Sequence, residues 1–266
     1  MNQVVSQGYS SQITTVKHAN GKDVWVIVHP YGSSDFNAIL FTDNGVQAPV
    51  VSNIGPYIGG NSVNVLGSLT ASHDGKLLAG TSQTIKGVLL FDFNNATGIL
   101  TNYRNVPNDD HVSKLQFSPD NTKLYYICWE GISQYDFDKA DIASSLTKIF
   151  DPGLYSNLYD MQLAPDGKIY VNKTGEFVNE NYTEFTGAIE CPNLPQYASN
   201  FNPKALPFAY VSFPNLINDF INDPHAPPVT KFDLGKDTAV CFGSYTITTL
   251  PDGKATDGIQ EKQRVR

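Results

Sequence analysis

Leu69-Thr-Ala-Ser-His-Asp-Gly-Lys-Leu-Leu78 is followed by Leu115-Gln-Phe-Ser-Pro-Asp-Asn-Thr-Lys-Leu-Tyr125 and then by Met161-Gln-Leu-Ala-Pro-Asp-Gly-Lys-Ile-Tyr170. Their apolar openings at 69, 115 and 161 and their turn aspartates at 74, 120 and 166 keep one constant step of 46 residues. A period of that length, made of short apolar runs separated by turn residues, marks repeated supersecondary units. In particular it marks propeller blades, each a four-stranded sheet that cannot bury both of its faces alone. The expected fold is all-β, with about four to five four-stranded antiparallel blades of the WD-repeat-like kind in an incomplete, open propeller.

Each unit has the same grammar. Asp74-Gly75 lies between two apolar runs, and Asp-Gly there is a strong hairpin signal because glycine accepts positive φ. The third strand reads Gly87-Val-Leu-Leu-Phe-Asp92-Phe93 and has a counterpart in Gly131-Ile-Ser-Gln-Tyr-Asp136-Phe137. A more divergent copy comes first, with Asn20-Gly21 and Asn44-Gly45 as its hairpin turns. This predicts blades at about 11–54, 67–107, 111–152 and 157–194, with a partial fifth at 200–223. An N-terminal tail of 1–10 precedes them; a Pro-rich linker, 224–231, and the truncated start of a further β module, 232–266, follow. Alternation puts Leu69, Ala71, Leu115, Phe117, Met161 and Leu163 in buried positions on equivalent inner strands.

Composition sets limits on function. Eighteen basic against 26 acidic residues give a net charge of -8, a field that repels phosphate backbones and anionic membrane surfaces. No apolar stretch approaches the roughly 18 to 20 residues of a membrane span, so neither nucleic acid nor membrane insertion is expected. Met1 to Gln12 lacks a basic segment followed by an apolar one, the pattern of a secretory leader. Cys128, Cys191 and Cys241 have no metal-site spacing, and an odd number denies a complete disulfide framework.

The chain carries little catalytic chemistry. The innermost strands, taken as Thr14 to His18, Ser68 to Ser72, Lys114 to Ser118 and Asp160 to Ala164, contribute one carboxylate, Asp160, and one histidine, His18. A calcium-type ion wants six to eight oxygen ligands, so neither metal nor cofactor is expected there. Asp109-Asp110-His111 is the densest titratable cluster, yet it falls at a join between repeats, where solvated polar residues are the rule. Asp92 and Asp136 recur at equivalent positions, which points to a structural role in side-chain to backbone hydrogen bonding. The glycine-rich run Gly55 to Gly67 has no Gly-Lys-Ser/Thr and reads as an inter-blade loop. No Gly-x-Ser-x-Gly or His-Glu-x-x-His occurs. Asn181-Tyr-Thr183 fits a glycosylation acceptor pattern.

Recognition is expected in the irregular stretch Asn172 to Lys204, whose aromatic and amide groups suit a protein or glycan ligand. The candidate contacts are Phe177, Asn179, Asn181, Tyr182, Phe185 and Tyr197. The competing reading is that these aromatics only close the blade edge.

Several motifs occur in a recognisable order. They are Thr15-Val-Lys-His-Ala-Asn-Gly-Lys-Asp-Val-Trp-Val-Ile27, Phe117-Ser-Pro-Asp120, Gln134-Tyr-Asp136, Ala164-Pro-Asp-Gly-Lys-Ile-Tyr170, Pro192-Asn193 and Asp233-Leu-Gly-Lys-Asp-Thr-Ala-Val-Cys241. In that order they resemble the propeller region of large gliding-motility-associated surface proteins of the type IX secretion system. The resemblance implies a YVTN-like propeller, an extracellular or cell-surface location, further N-terminal blades and a following immunoglobulin-like domain. The expected function is a non-catalytic binding or scaffold module of a secreted or surface multidomain protein, partnered by the remaining blades. The alternative is a propeller hydrolase or lyase, acting on an extracellular glycan or lactone, with its site in other blades.

Overall fold

The computed structural model describes residues 8–60, 67–82, 85–107, 112–128, 131–151, 158–178, 181–208 and 213, and the backbone alone at 173–178 and 181–183. By backbone contacts the chain divides into two units, Met1–Lys231 and Phe232–Arg266, and every described residue belongs to the first. The expected linker and following module therefore lie outside the described residues, as do most of 200–223 and Asp109, Asp110 and His111.

Four antiparallel sheets follow one another along the chain, and the fold is a β-propeller array. The first contains β1 (Tyr9–Lys17), β2 (Val24–Pro30), β3 (Ser33–Thr42), β4 (Gly45–Val46) and β5 (Val50–Ile58), the last two sharing the outer edge of β3. The second is β6 (Leu69–Ala71), β7 (Leu77–Ser82), β8 (Ile85–Asn94) and β9 (Ile99–Val106). The third is β10 (Lys114–Phe117), β11 (Lys123–Cys128), β12 (Gly131–Asp136) and β13 (Thr147–Phe150). The fourth is β14 (Met161–Leu163), β15 (Ile169–Val178), β16 (Asn181–Ile189) and β17 (Phe201–Leu206).

One turn, used four times, explains the sequence ladder. The N–H groups of His18, Ser72, Ser118 and Ala164 donate across the first hairpin to Asp23, Leu77, Lys123 and Lys168 at 2.8, 2.9, 2.9 and 2.9 Å. Three residues on, the N–H groups of Gly21, Gly75, Asn121 and Gly167 donate back to the carbonyls of His18, Ser72, Ser118 and Ala164. Those four residues have φ of 72°, 68°, 65° and 80°. An L side chain is disfavoured at such angles, with asparagine the tolerated exception, so the third repeat reads Asp-Asn where others read Asp-Gly or Asn-Gly. In the turn of the third sheet, Asp120 Oδ1 accepts from Ser118 Oγ at 2.7 Å and from the Thr122 N–H at 3.0 Å.

Strand alternation then divides the apolar residues between neighbours. On β7, Leu78 faces a core shared with the first sheet, through Trp25, Ile27 and Phe36, whereas Ala79 faces a core shared with the third. On β11, Leu124 and Tyr126 join the second sheet's core, and Tyr125 and Ile127 join the fourth's. Strands β11 and β12 are accordingly buried along their whole length, whereas β1 is buried only at Gln12 and Val16. Leu69, Ala71, Leu115, Phe117, Met161 and Leu163 are all buried on the three equivalent inner strands, as expected. Among the described residues no core joins the fourth sheet to the first.

The blade limits need correction. The first sheet begins at Tyr9 and runs on to Ile58, beyond the expected 11–54. The fourth runs to Leu206: β17 pairs with β16 and completes that sheet, so residues 201–206 do not open a fifth blade. The stretch read as irregular after Val171 is a long hairpin, with Thr174 opposite Phe185 and Val178 opposite Asn181. A hairpin whose backbone bonds are internally satisfied tolerates polar residues on both faces, and those residues masked the strand pattern.

Candidate functional site

The innermost strands of all four sheets line one narrow passage of about 30 Å³, with Thr14, Ser68, Thr70, Gln116 and Gln162 among its walls. That is room for water and not for an organic substrate. Lys114 Nζ, from the same wall, lies 3.1 Å from Asp160 Oδ1. The same oxygen accepts the Met161 N–H at 3.0 Å, and Oδ2 accepts the Phe213 N–H at 2.9 Å. The only carboxylate of the inner strands is thus neutralised and occupied by backbone donors, which suits a structural anchor and not a general base. His18 is elsewhere: Nδ1 accepts the Asn20 N–H at 3.0 Å, so Nε2 donates to Ala96 O at 3.1 Å, and the ring lies against Trp25. Among the described residues no three of His, Cys, Asp or Glu converge on a metal position.

A larger cleft, of about 420 Å³, opens between the third and fourth sheets. Gln134 of β12 forms its floor and is buried: Nε2 donates to the Tyr125 hydroxyl at 2.6 Å and to Leu194 O at 2.9 Å, while Oε1 accepts the Gln196 N–H at 2.7 Å. Tyr125 donates in turn to Pro192 O at 2.8 Å. Burial, ahead of any hydrogen bond, pushes this phenol well above its ordinary range, so it remains a donor.

Asp136 closes the inner end of the cleft. Its Oδ1 lies 3.0 Å from Lys123 Nζ and accepts the Asp138 N–H at 3.0 Å, and Lys123 also meets Asp138 Oδ2 at 2.8 Å. Burial pushes the Asp136 carboxyl up, but hydrogen bonds from Lys123 and the Asp138 backbone outweigh it and the net displacement is downward. Burial likewise opposes the Lys123 charge, but its bonds to Asp138 and Asp136 raise its pKa overall. The ion pair is locked. Asp141, at the outer end, accepts the Ala143 and Ser144 N–H groups at 3.1 and 3.4 Å and so shapes the 3-10 turn Ala143–Ser145.

Asp92 and Asp136 differ from the expected backbone role in their main partners. Asp92 accepts from Arg104 Nη2 and Asn102 Nδ2, both at 2.8 Å, and Asp136 adds a lysine to its backbone bond.

Of the six residues expected to form a contact loop, the described ones are spread along the β15–β16 hairpin and the turn that follows it. Phe177 and Tyr182 are paired across the β15–β16 hairpin, Asn181 pairs with Val178, and Asn179 lies outside the described residues. Phe185 lies beneath Lys204, whose Nζ is 5.3 Å from the ring centroid. Tyr197 sits in the 3-10 turn Gln196–Ser199, which follows the opposite end of β16. At about 3.3 Å per residue that strand alone separates Tyr182 from Ile189 by roughly 23 Å. Tyr197 is nevertheless 73% exposed and adjoins Gln196 of the cleft. The lining at Asp141 and Ser144 was missed, although the run Asp138-Lys-Ala-Asp-Ile-Ala-Ser-Ser145 interrupts the strand pattern where the preceding repeat has only the short turn Asn94-Asn-Ala-Thr-Gly98. Cys128 is a buried thiol whose Sγ lies 3.6 Å from Gly131 O, outside any disulfide, whereas Cys191 is disulfide-bonded.

No family model and no curated protein matches the chain. Solved structures similar to it include the pyranose dehydrogenase PQQ domain from Coprinopsis cinerea, with TM-score 0.45, 14% identity, and 76% of this chain covering 54% of that one. A Trichoderma reesei protein of carbohydrate-active enzyme family AA12 has TM-score 0.45 and 16% identity over 70% of this chain and 53% of its own. TolB from Acinetobacter baumannii has TM-score 0.41 and 10% identity over 74% and 43%. The chain therefore spans about half the length of these proteins.

Proposed function

We propose that the chain is a non-catalytic binding or scaffold module of a secreted or cell-surface multidomain protein, of the gliding-motility-associated, type IX secretion kind that its motifs resemble. The observation that carries the reading is Asp160. The only carboxylate of the inner strands is paired with Lys114 and holds two backbone N–H groups, so both of its oxygens are already engaged within the protein. The disulfide at Cys191 supports an oxidising compartment. No helix among the described residues is long and apolar enough to cross a membrane. Remaining blades would be partners of the exposed face of the first sheet, where Ile13, Phe41 and Val51 are open to solvent.

The test is incubation of the purified chain with a panel of lactones and aryl glycosides, followed by mass spectrometry. No product above a protein-free blank is expected. Product that disappears in Asp160→Asn would contradict the reading and favour a propeller hydrolase or lyase.

A further inference from the structure

We infer that the cleft between the third and fourth sheets is a binding site for a neutral carbohydrate chain, a proposal that rests on the binding-module reading and names its ligand. At about 420 Å³ the cleft falls in the range of small-ligand sites. Ala140 is the one aliphatic residue in its lining, so an apolar ligand would gain little there. Charge excludes ions in the same way. Lys123 and Lys139 offset two of the three carboxylates Asp136, Asp138 and Asp141, so an anion gains nothing there and a cation meets only the one remaining charge, shared among groups already bonded within the protein. What remains is a balanced set of donors and acceptors. Lys139 and the Gln196 side-chain amide can donate, while Asp141 and the Ser144 hydroxyl, whose own proton goes to Asp141 O at 3.0 Å, can accept, which is the complement of a ring of hydroxyl groups.

Two further features fit the same ligand. Gln196 has φ of 53°, and among the described residues every other non-glycine with positive φ is an asparagine. A glutamine held there is strained, because its Cβ crowds the backbone, and such strain persists where the surroundings fix it. Here Gln134 Oε1 fixes it by accepting the Gln196 N–H at 2.7 Å. The floor is thus preformed, so binding has little ordering to oppose it. Next in sequence, the Tyr197 ring stands in solvent beside the cleft, able to lie against the C–H face of a sugar.

The proposal is tested by amide NMR of the whole chain, titrated with neutral tetrasaccharides of β-1,3-, β-1,4- and α-1,4-linked glucose and with inorganic phosphate. At least one tetrasaccharide should shift Ala140, Ser144 and Gln196. Asp141→Asn, which keeps the turn-capping oxygen, and Gln196→Gly, which relieves the backbone, should each weaken binding about tenfold or more, on the order of 1.4 kcal/mol, with the melting temperature unchanged in the first and not lowered in the second. Tyr182→Ala, at the far end of β16, should leave it unchanged. No shift with any sugar up to its solubility limit overturns the proposal, as does a response to phosphate alone or binding indifferent to Asp141→Asn and Gln196→Gly. Mass spectrometry of the recovered sugar separates the two readings. Hydrolysis would defeat the non-catalytic role while leaving the cleft as the sugar site, whereas absence of binding defeats the cleft alone.

Discussion

Asn121 Oδ1 accepts the His73 N–H at 2.6 Å, so the turn that closes the first hairpin of the third sheet also holds the corresponding turn of the second. Asn193 Oδ1, from the β16–β17 connection of the fourth sheet, accepts the Asp120 N–H at 3.3 Å and so holds the turn of the third from the other side. Asn121 therefore has two separable duties, adopting φ of 65° and binding its neighbour. Asn121→Gly keeps the first and loses the second, at a cost of about 1 kcal/mol. Asn121→Ala loses both and should cost about 2 to 3 kcal/mol. Urea midpoints that rank alanine no worse than glycine would show that the turn conformation is not the constraint.

Asp120→Ala should lower stability by up to about 1 kcal/mol through loss of local turn bonds. Its carboxylate accepts from the Ser118 hydroxyl at 2.7 Å and from the Thr122 N–H and hydroxyl at 3.0 and 2.9 Å. Ligand binding by the cleft should be unaffected, and a calorimetric titration beside the melting curve checks both halves.

Lys123→Met should be the most damaging single change near the cleft. It leaves Asp136 buried without its cation, an arrangement that costs on the order of 3 kcal/mol, and the double variant Lys123→Met/Asp136→Asn should recover part of that loss. Because the Asp136 pKa is held below its ordinary 3.8, the wild-type pair contributes its stability above that pH and loses it as the pH falls further. Denaturant midpoints of the two variants, measured from neutral to acid pH, provide the check.

His29 gives a second pH dependence. It is buried, its Nδ1–H donates to Pro30 O at 2.8 Å, its ring meets Phe36 edge-on at 4.6 Å, and Nε2 has no partner among the described residues. Burial depresses its pKa from 6.5, with the Pro30 bond and the Asp35 charge opposing only in part. The unfolded chain therefore takes up this proton first as pH falls. Stability present above 6.5 declines below it, until the folded pKa is passed. In His29→Phe the loss of midpoint between pH about 8 and about 5.5 should shrink; an unchanged pH slope would assign it to other groups.

Much of the fold was legible because the repeat writes its turn into the sequence. Positive φ admits few residues, so Gly21, Gly75, Asn121 and Gly167 stand out, and the apolar runs around them repeat in register. The β15–β16 hairpin was not legible, because the residues of its outer half carry no apolar alternation in sequence. The cleft was hidden for another reason. Gln134 reads as one polar residue in a strand, and its three partners, Tyr125, Leu194 and Gln196, are brought to it only by the packing of two sheets. Tyr197 was picked out as an exposed aromatic, but sequence could not place it opposite the hairpin tip.

The account rests most directly on the equivalence of hairpins spaced by 46 residues, and residue-resolved amide hydrogen exchange measures it. The N–H groups of Ser72, Ser118 and Ala164 each donate at 2.9 Å to the second strand of their own sheet. If the three sheets belong to one packed array, these amides should exchange together in the slow class, with similar opening free energies. Exchange of one of them at the rate of an unprotected amide, while the other two stay protected, would contradict the repeat and with it the cleft built between its third and fourth members.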